Sequence, residues 1–197
     1  GRDMTLHLTA TKMAEYIMER ANISKQRKAV FIYGCELTLS TIASVLSIII
    51  LSIFLNAIYS SFVFLLVFIG IRLFAGGYHA KTYSHCFLLT NFVYLLSFLL
   101  SEYVIISLHR PIKTILLFIS AAVILVLAPI RHKNHPLSEQ TYRKNAAIGR
   151  TITILISMIT VWLLLNNIAA AVTTMIVVTL MAIAIMMIIP KIQKGVE

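Results

Sequence analysis

The chain has 197 residues, of which 59% are hydrophobic and only 12% are charged. Soluble domains carry about 25% charged residues, so this composition excludes an ordinary soluble domain and indicates an integral membrane protein. The formal net charge is +10, but the basic residues alternate with apolar runs and do not cluster on one polar face. This distribution argues against a nucleic-acid partner and leaves the lipid bilayer as the main surrounding.

The first segment, residues 4–22, mixes apolar and charged side chains and is too polar to span a bilayer. Met13, Tyr16 and Ile17 lie three and four residues apart, which is the spacing of neighbours on one helix face. The pattern predicts an amphipathic helix lying in the membrane interface. A cytoplasmic arm packed on the other helices is the alternative interpretation.

Six apolar runs follow, and each is long enough to cross a bilayer, which takes about 20 helical residues. We predict spanning helices at 30–54, 57–74, 87–106, 112–130, 147–165 and 168–189. Helices are required because lipid offers no hydrogen-bond partner for a free backbone group. The predicted fold is an all-α integral membrane protein with six transmembrane helices and an N-terminal interfacial helix, as a single domain over residues 1–197.

Short polar or proline-containing breaks separate the predicted spans. Asn56 follows the first span, Pro111 lies in the turn before the fourth, Asn167 separates the last two, and Pro190 is expected to end the last helix.

Lysine and arginine predict the orientation of these spans. Fifteen of the seventeen lie in the N-terminal arm, the second and fourth connections and the tail, whereas Arg110 and Lys113 lie on the other side. Since basic residues are enriched in cytoplasmic loops, both termini and these two connections should face the cytoplasm.

The stretch Arg72 to Cys86, RLFAGGYHAKTYSHC, connects the second and third spans. Gly76 and Gly77 resist helix continuation and permit a turn. Such a turn can bring His79 close to Cys86, and a base or cation beside a sulfur atom is the minimum for thiol chemistry. Cys86 is therefore the candidate nucleophile and His79 the candidate base and acid.

His85 is the competing base. On an unbroken helix His79 and Cys86 would be about 10.5 Å apart along the axis, so the chain between them must bend. His85 adjoins Cys86 in sequence and on a helix would point about 100° away from it. Taken alone, the pattern also fits Cys86 as a small buried apolar residue and His79 as an interfacial hydrogen-bonding residue.

Other polar residues near this stretch have more than one interpretation. Arg72 fits a snorkelling arginine, an anion clamp for a substrate carboxylate, or a support for the turn. Glu36, inside the first span, could orient His79, whereas Glu102 near the opposite face is expected to be structural. Cys35 has no motif around it.

Zinc chemistry is the main competitor for a histidine and cysteine site. His79, His85 and Cys86 could bind zinc only with an unidentified fourth ligand. The sequence has no His-Glu-x-x-His and no Cys-x-x-Cys, so we predict no metal and no cofactor.

Two groups of residues together resemble the AgrB family, the integral-membrane cysteine peptidases that process bacterial peptide pheromone precursors. The first group is Arg72, Ala75, Gly76, Gly77, His79, Ala80 and Cys86, with the cysteine seven residues after the histidine. The second is Ala128, Pro129, Arg131, His132, Lys133 and Pro136. Chain length and the number of apolar runs agree as well, so the resemblance covers nearly the whole chain.

The resemblance implies a catalytic Cys86 and His79 in a bacterial cell membrane, with the active site on the cytoplasmic side. It implies cleavage of an AgrD-like precursor through an acyl-thioester, ring closure to a thiolactone or lactone, and a possible homodimer. The family's substrates carry an acidic tail, which a basic loop here could bind. Its candidate residues are Arg131, Lys133, Arg143 and Lys144. The same loop is also expected to act as a topology signal, because basic residues are enriched in cytoplasmic loops.

A peptide transporter, an export chaperone and a structural membrane subunit are the alternative functions.

The orientation is testable by cysteine labelling in a background without Cys35 and Cys86. A cysteine at Asn56 or Asn167 should react with an impermeant maleimide on intact cells, whereas one at Asn134 should react only after lysis. The reverse pattern would contradict a cytoplasmic active site.

Overall fold

The computed structural model of the protein describes residues 4–20, 28–75, 83–130 and 139–194, and these residues are helical apart from short turns. The helices are α1 (Met4–Arg20), α2 (Lys28–Phe54), α3 (Ile58–Ala75), α4 (Tyr83–Leu99), α5 (Arg110–Leu127), α6 (Glu139–Leu165) and α7 (Ala170–Lys194). A π-helical turn, Leu100–Val104, and a 3₁₀ turn, Ile105–Ser107, extend α4.

The prediction of an all-α protein with six transmembrane helices is confirmed. Six helices are long and apolar enough to cross a membrane, namely α2, α3, α4 with its two following turns, α5, α6 and α7. No strand occurs in the described ranges. The hydropathy of each run decides this outcome, because a long apolar segment is stable in lipid only with all its backbone groups bonded internally.

Two helices begin earlier than the sequence predicted. α4 begins at Tyr83 and not at residue 87, so Cys86 lies in its first turn. α6 begins at Glu139 and not at residue 147, so Arg143 and Lys144 lie on a helix, and their assignment to a loop was wrong. Polar residues can extend a helix beyond its apolar part, and an acidic Glu139 in the first turn interacts favourably with the helix dipole.

Proline affects the ends of two helices differently. α5 ends at Leu127, and the next residue, Ala128, has an extended backbone. Pro129 explains this, because the proline ring disfavours the helical conformation of the residue before it. By contrast, α7 continues past Pro190 to Lys194, so the prediction that this proline ends the helix was wrong. A proline removes one backbone hydrogen bond, which a long transmembrane helix tolerates.

Asparagine shapes two of the turns between helices. Asn56, between α2 and α3, has φ 54°, and Asn167, between α6 and α7, has φ 56°. Asparagine enters this left-handed region more easily than other residues that carry a side chain, because its short polar group can bond locally. Both turns lie where the sequence predicted breaks.

The chain divides into two compact units, one of residues 1–54 and 79–92 and the other of residues 55–78 and 93–197. In the first unit α1 packs against α2. The core there consists of Ala10, Ala14 and Cys35. The single domain over the whole chain stays a prediction.

One face of α1 packs on α2 and another is exposed. Ala10, Ala14 and Met18 are buried at four-residue spacing, whereas Met13 and Tyr16 are exposed. Small alanine side chains let the two helices approach closely. The exposed apolar side chains fit an interfacial helix, but its position in the interface stays a prediction.

In the second unit α7 packs against α3, α5 and α6. Phe64 of α3 stacks on Phe68 and meets Tyr94 edge to face. Ser60 hydrogen-bonds the Tyr94 hydroxyl at 2.8 Å. Glu102, on the π-helical turn, accepts a hydrogen bond from the Tyr59 hydroxyl.

Candidate active site

Cys86, the predicted nucleophile, lies on the first turn of α4 and is partly exposed. Its carbonyl oxygen accepts a hydrogen bond from the Thr90 hydroxyl at 2.8 Å, one turn further along. His85 is exposed and adjoins it on the same helix. Neighbouring helical positions point about 100° apart, and the expectation that His85 does not face the sulfur stays a prediction.

A buried carboxylate lies in the same unit as Cys86. Glu36 of α2 is 6% exposed. His7 Nδ1 of α1 donates a hydrogen bond to Glu36 Oε1 at 2.5 Å, and the Tyr83 hydroxyl of α4 donates to Oε2 at 2.8 Å. Each carboxylate oxygen therefore has a partner from a different helix. We call these three residues the Glu36 cluster.

Sequence reasoning singled out Glu36 but missed its two partners. It considered that Glu36 could orient His79, and His79 lies outside the described residues. His7 received no role because it lies in the polar N-terminal segment. One feature of the sequence could have drawn attention to Tyr83. It precedes Cys86 by three residues, and residues at that spacing lie on adjoining parts of a helix surface.

A second polar contact joins α2 to α4. The Ser47 hydroxyl donates to Asn91 Oδ1 at 2.8 Å, and Asn91 Nδ2 donates to the Phe87 carbonyl oxygen at 2.9 Å. Ser47 and Asn91 lie about three and two helical turns beyond Glu36 and Tyr83, respectively. The two contacts together fix the rotation and the axial position of the first part of α4 relative to α2.

Cys35 has a different environment from Cys86. It is 7% exposed and packs with Ala10 and Ala14 in the core between α1 and α2. A free cysteine in such a place behaves as a small apolar residue.

Arg72 lies in the last turn of α3, in the second unit. Its guanidinium carbon is 5.0 Å from the centre of the Phe68 ring, which is cation–π distance. This contact fits the interpretation of Arg72 as an arginine whose aliphatic stem lies along apolar surface. Gly76 and Gly77, which follow α3 in the sequence, lie outside the described residues.

The end of α3 is held by the segment that follows α5. The Ile130 N–H donates to the Ala75 carbonyl oxygen at 3.0 Å. Arg150 of α6 donates to the Ala128 carbonyl oxygen at 3.2 Å. The Ala128–Pro129 pair, which carries part of the family resemblance and is joined by a cis peptide bond, therefore lies beside the last residue before Gly76.

Gly149 of α6 packs directly on this end of α3. A Cβ atom at Gly149 would lie 3.3 Å from the Phe74 Cβ and 3.4 Å from the Ala75 backbone nitrogen. Contacts that short mean that even a methyl group at Gly149 requires α3 to shift by a few tenths of an ångström, and a larger side chain requires more.

The structure describes two of the four basic residues that were predicted to bind an acidic tail. Arg143 and Lys144 are exposed on the first turns of α6. Arg143 Nε lies 3.4 Å from Glu139 Oε1, an exposed pair one turn apart. Such pairs contribute little to stability. Arg131 and Lys133 lie outside the described residues.

Among the residues that the structure describes, no three histidine, cysteine, aspartate or glutamate side chains come together as a possible metal site. Because His79 is not among them, the absence of a metal stays a prediction.

The model of the family described as Accessory gene regulator B matches residues 10–190. The chain belongs to the AgrB family. It is 23% identical over 164 residues to Putative AgrB-like protein 2 of Clostridium perfringens (strain 13 / Type A), a match that covers 79% of this chain and 77% of that protein. No solved structure matches the chain. Membership of the AgrB family indicates a role in processing the AgrD pheromone precursor.

The contact of Gly149 with α3 predicts a cost for any larger residue there. Gly149→Val should destabilise the protein by about 1–3 kcal/mol, because overpacking forces two backbones apart. The measurement is thermal unfolding in detergent. Gly70→Val on α3 is the matched control, since a Cβ there meets nothing within 4 Å. Equal unfolding temperatures for the two variants would contradict the close approach of α6 to α3.

Proposed function

We propose that this protein is a membrane-embedded cysteine endopeptidase that cleaves an AgrD-like pheromone precursor and supports its cyclisation. The observation that carries the proposal is the contrast between the two cysteines. Cys86 is partly exposed on the first turn of a helix that follows the Gly-x-His-Ala motif, whereas Cys35 is buried between two helices. A nucleophile must be accessible to its substrate, so Cys86 fits the role and Cys35 does not.

In the proposed first step the Cys86 thiolate attacks the carbonyl carbon of the scissile peptide bond and forms a carbon–sulfur bond. The tetrahedral intermediate collapses, the carbon–nitrogen bond breaks, and His79 gives its proton to the leaving amine. The N-terminal part of the precursor remains attached to Cys86 as a thioester. The backbone amides of Gly76 and Gly77 could bind the oxyanion during this step.

The family resemblance implies that the precursor itself supplies the second nucleophile. A cysteine thiolate of the precursor attacks the thioester carbonyl, or in some precursors a serine hydroxyl attacks while His79 takes its proton. The carbon–sulfur bond to Cys86 then breaks and Cys86 leaves as thiolate. The product is a thiolactone or lactone ring. Exchange of one thioester for another is nearly balanced in energy, so the step proceeds when water is kept from the intermediate.

Recognition of the precursor tail is assigned to the basic residues. Arg143 and Lys144 are exposed on α6, and Arg143 pairs with the exposed carboxylate of Glu139 one turn earlier. Together with Arg131 and Lys133 they would attract an acidic segment. The positive-inside distribution supports placing both termini and this surface in the cytoplasm. A homodimer rests on the family resemblance alone.

A peptide transporter or export chaperone is the alternative from a different functional class. Such a protein would bind the precursor through the same surfaces but would release it uncut. The masses of the peptide products therefore distinguish the two functions directly.

The choice of Cys86 predicts a clear difference between two alanine variants. Co-expressed with its precursor peptide, the Cys86→Ala protein should yield no cleaved peptide, because no thioester can form. Cys35→Ala should retain cleavage, because it changes only a small packing residue. Peptide mass spectrometry measures both, with size exclusion as the check of folding. Cleavage lost in a folded Cys35→Ala protein would mean that the other thiol reacts.

The choice of His79 predicts a difference between the two histidines. His79→Ala should lose the acyl-enzyme, since a positioned acid and base contributes about 10²–10⁴-fold. His85→Gln should keep most activity, because this side chain points away from the sulfur. Trapping of the thioester and measurement of its mass tests both. A normal acyl-enzyme in His79→Ala with none in His85→Gln would transfer the role to His85.

A further inference from the structure

The Glu36 cluster includes Tyr83, which lies three residues before the proposed nucleophile on α4, and no step of the proposed reaction uses it. We infer that Glu36 is a positioning residue for Cys86, that Tyr83 links it to the cysteine helix, and that His7 makes α1 part of the active-site support. The inference rests on the proposed function, which it deepens. It concerns how the thiol is held and not which groups touch substrate.

The link from Glu36 to Cys86 passes through one helical turn. Tyr83 and Cys86 are three residues apart on α4, so they are separated by about 4.5 Å along the axis and about 60° around it. A hydrogen bond that fixes the Tyr83 hydroxyl on Glu36 thus restrains the same turn that carries the sulfur.

The restraint is local to this end of α4. A second side-chain bond between α2 and α4, from Ser47 to Asn91, lies on the other side of the cysteine, about one and a half turns past it. Without the bond to Glu36, the first turn of α4 could rotate or fray while the Asn91 contact stayed intact. Helix ends fray readily because their first N–H groups have no partner within the helix.

The role of His7 follows from the burial of the carboxylate. An acid within a membrane helix is costly unless its oxygens are bonded, and Glu36 is 6% exposed. Tyr83 satisfies one oxygen and His7 the other. His7 belongs to α1. Packing of α1 on α2 therefore supplies the second hydrogen bond of Glu36, the residue that restrains α4.

Positioning of this kind has a recognisable kinetic effect. A misplacement of about 1 Å can lower a rate by about 10²-fold without any loss of a reacting group. Loss of the cluster should therefore lower kcat for precursor cleavage and leave KM nearly unchanged. It should also change the reactivity of the Cys86 thiol in the absence of substrate.

The experiment compares Glu36→Leu, Glu36→Gln and Tyr83→Phe in a Cys35→Ala background, as full-length protein in detergent. Glu36→Leu and Tyr83→Phe should each lower kcat about tenfold or more and change the iodoacetamide rate at Cys86. Glu36→Gln should recover most of the activity, because its amide oxygen still accepts from Tyr83. Tyr83→Phe keeps the aromatic ring and removes only the hydroxyl that donates to Glu36, so a defect in this variant reports the hydrogen bond and not a loss of packing.

A matched control exists in the other unit. Tyr59→Phe removes a tyrosine hydroxyl that likewise donates to a carboxylate within a span, that of Glu102. This variant should leave both Cys86 readouts unchanged. If Tyr83→Phe and Glu36→Leu, folded by size exclusion, match Tyr59→Phe within twofold in kcat and in alkylation rate, the inference is overturned.

His7→Ala tests the contribution of α1. It should lower kcat several-fold in the wild-type background and add nothing in the Glu36→Leu background, because both changes act through one carboxylate. His109→Ala, an exposed histidine before α5, is the control. Additive effects of His7 and Glu36 would refute the coupling. The alkylation rate needs no precursor, so it tests the inference even if Cys86→Ala still cleaves and the proposed function fails.

Discussion

The lack of hydrogen-bond partners in lipid is the constraint on which this structure depends. Every backbone group within a span must be satisfied by the protein itself, and six long helices do so. Many hydroxyl side chains follow the same rule. Thr38, Thr153 and Thr179 donate to the carbonyl oxygen four residues earlier in their own helices. Such bonds let polar side chains lie inside apolar segments without requiring a partner from another helix.

Where the backbone leaves the helix, the partners have to come from elsewhere in the fold. The carbonyl oxygen of Ala75, the last residue of α3, accepts the Ile130 N–H, and Arg150 satisfies Ala128. Gly149 brings α6 close enough to complete this arrangement. The chain that leads into the predicted Gly-x-His-Ala turn therefore starts from a point fixed by two other helices. The Ala128–Pro129 pair therefore has a structural role at the end of α3.

Buried carboxylates show the same constraint for side chains. Glu36 and Glu102 are carboxylates within two of the spans, and each accepts a hydrogen bond from a tyrosine hydroxyl. They differ in their surroundings. Glu102 lies on a π-helical turn at the far end of the third span, whereas Glu36 also binds His7 and lies near the turn that carries Cys86. The shared chemistry of the two pairs makes one a fair control for the other.

The sequence by itself determined the membrane class, the six spans and the turns at Asn56 and Asn167, because hydropathy and turn preference are local properties. It also separated Cys86 from Cys35 by position and motif, whereas the role of His79 stays a prediction outside the described residues. Only the tertiary structure decided the partners of Glu36, which lie 29 and 47 residues away in sequence. It likewise decided which face of α1 packs and how α6 meets the end of α3. Those features depend on contacts between distant segments, and the spacing of residues along one segment carries no information about them.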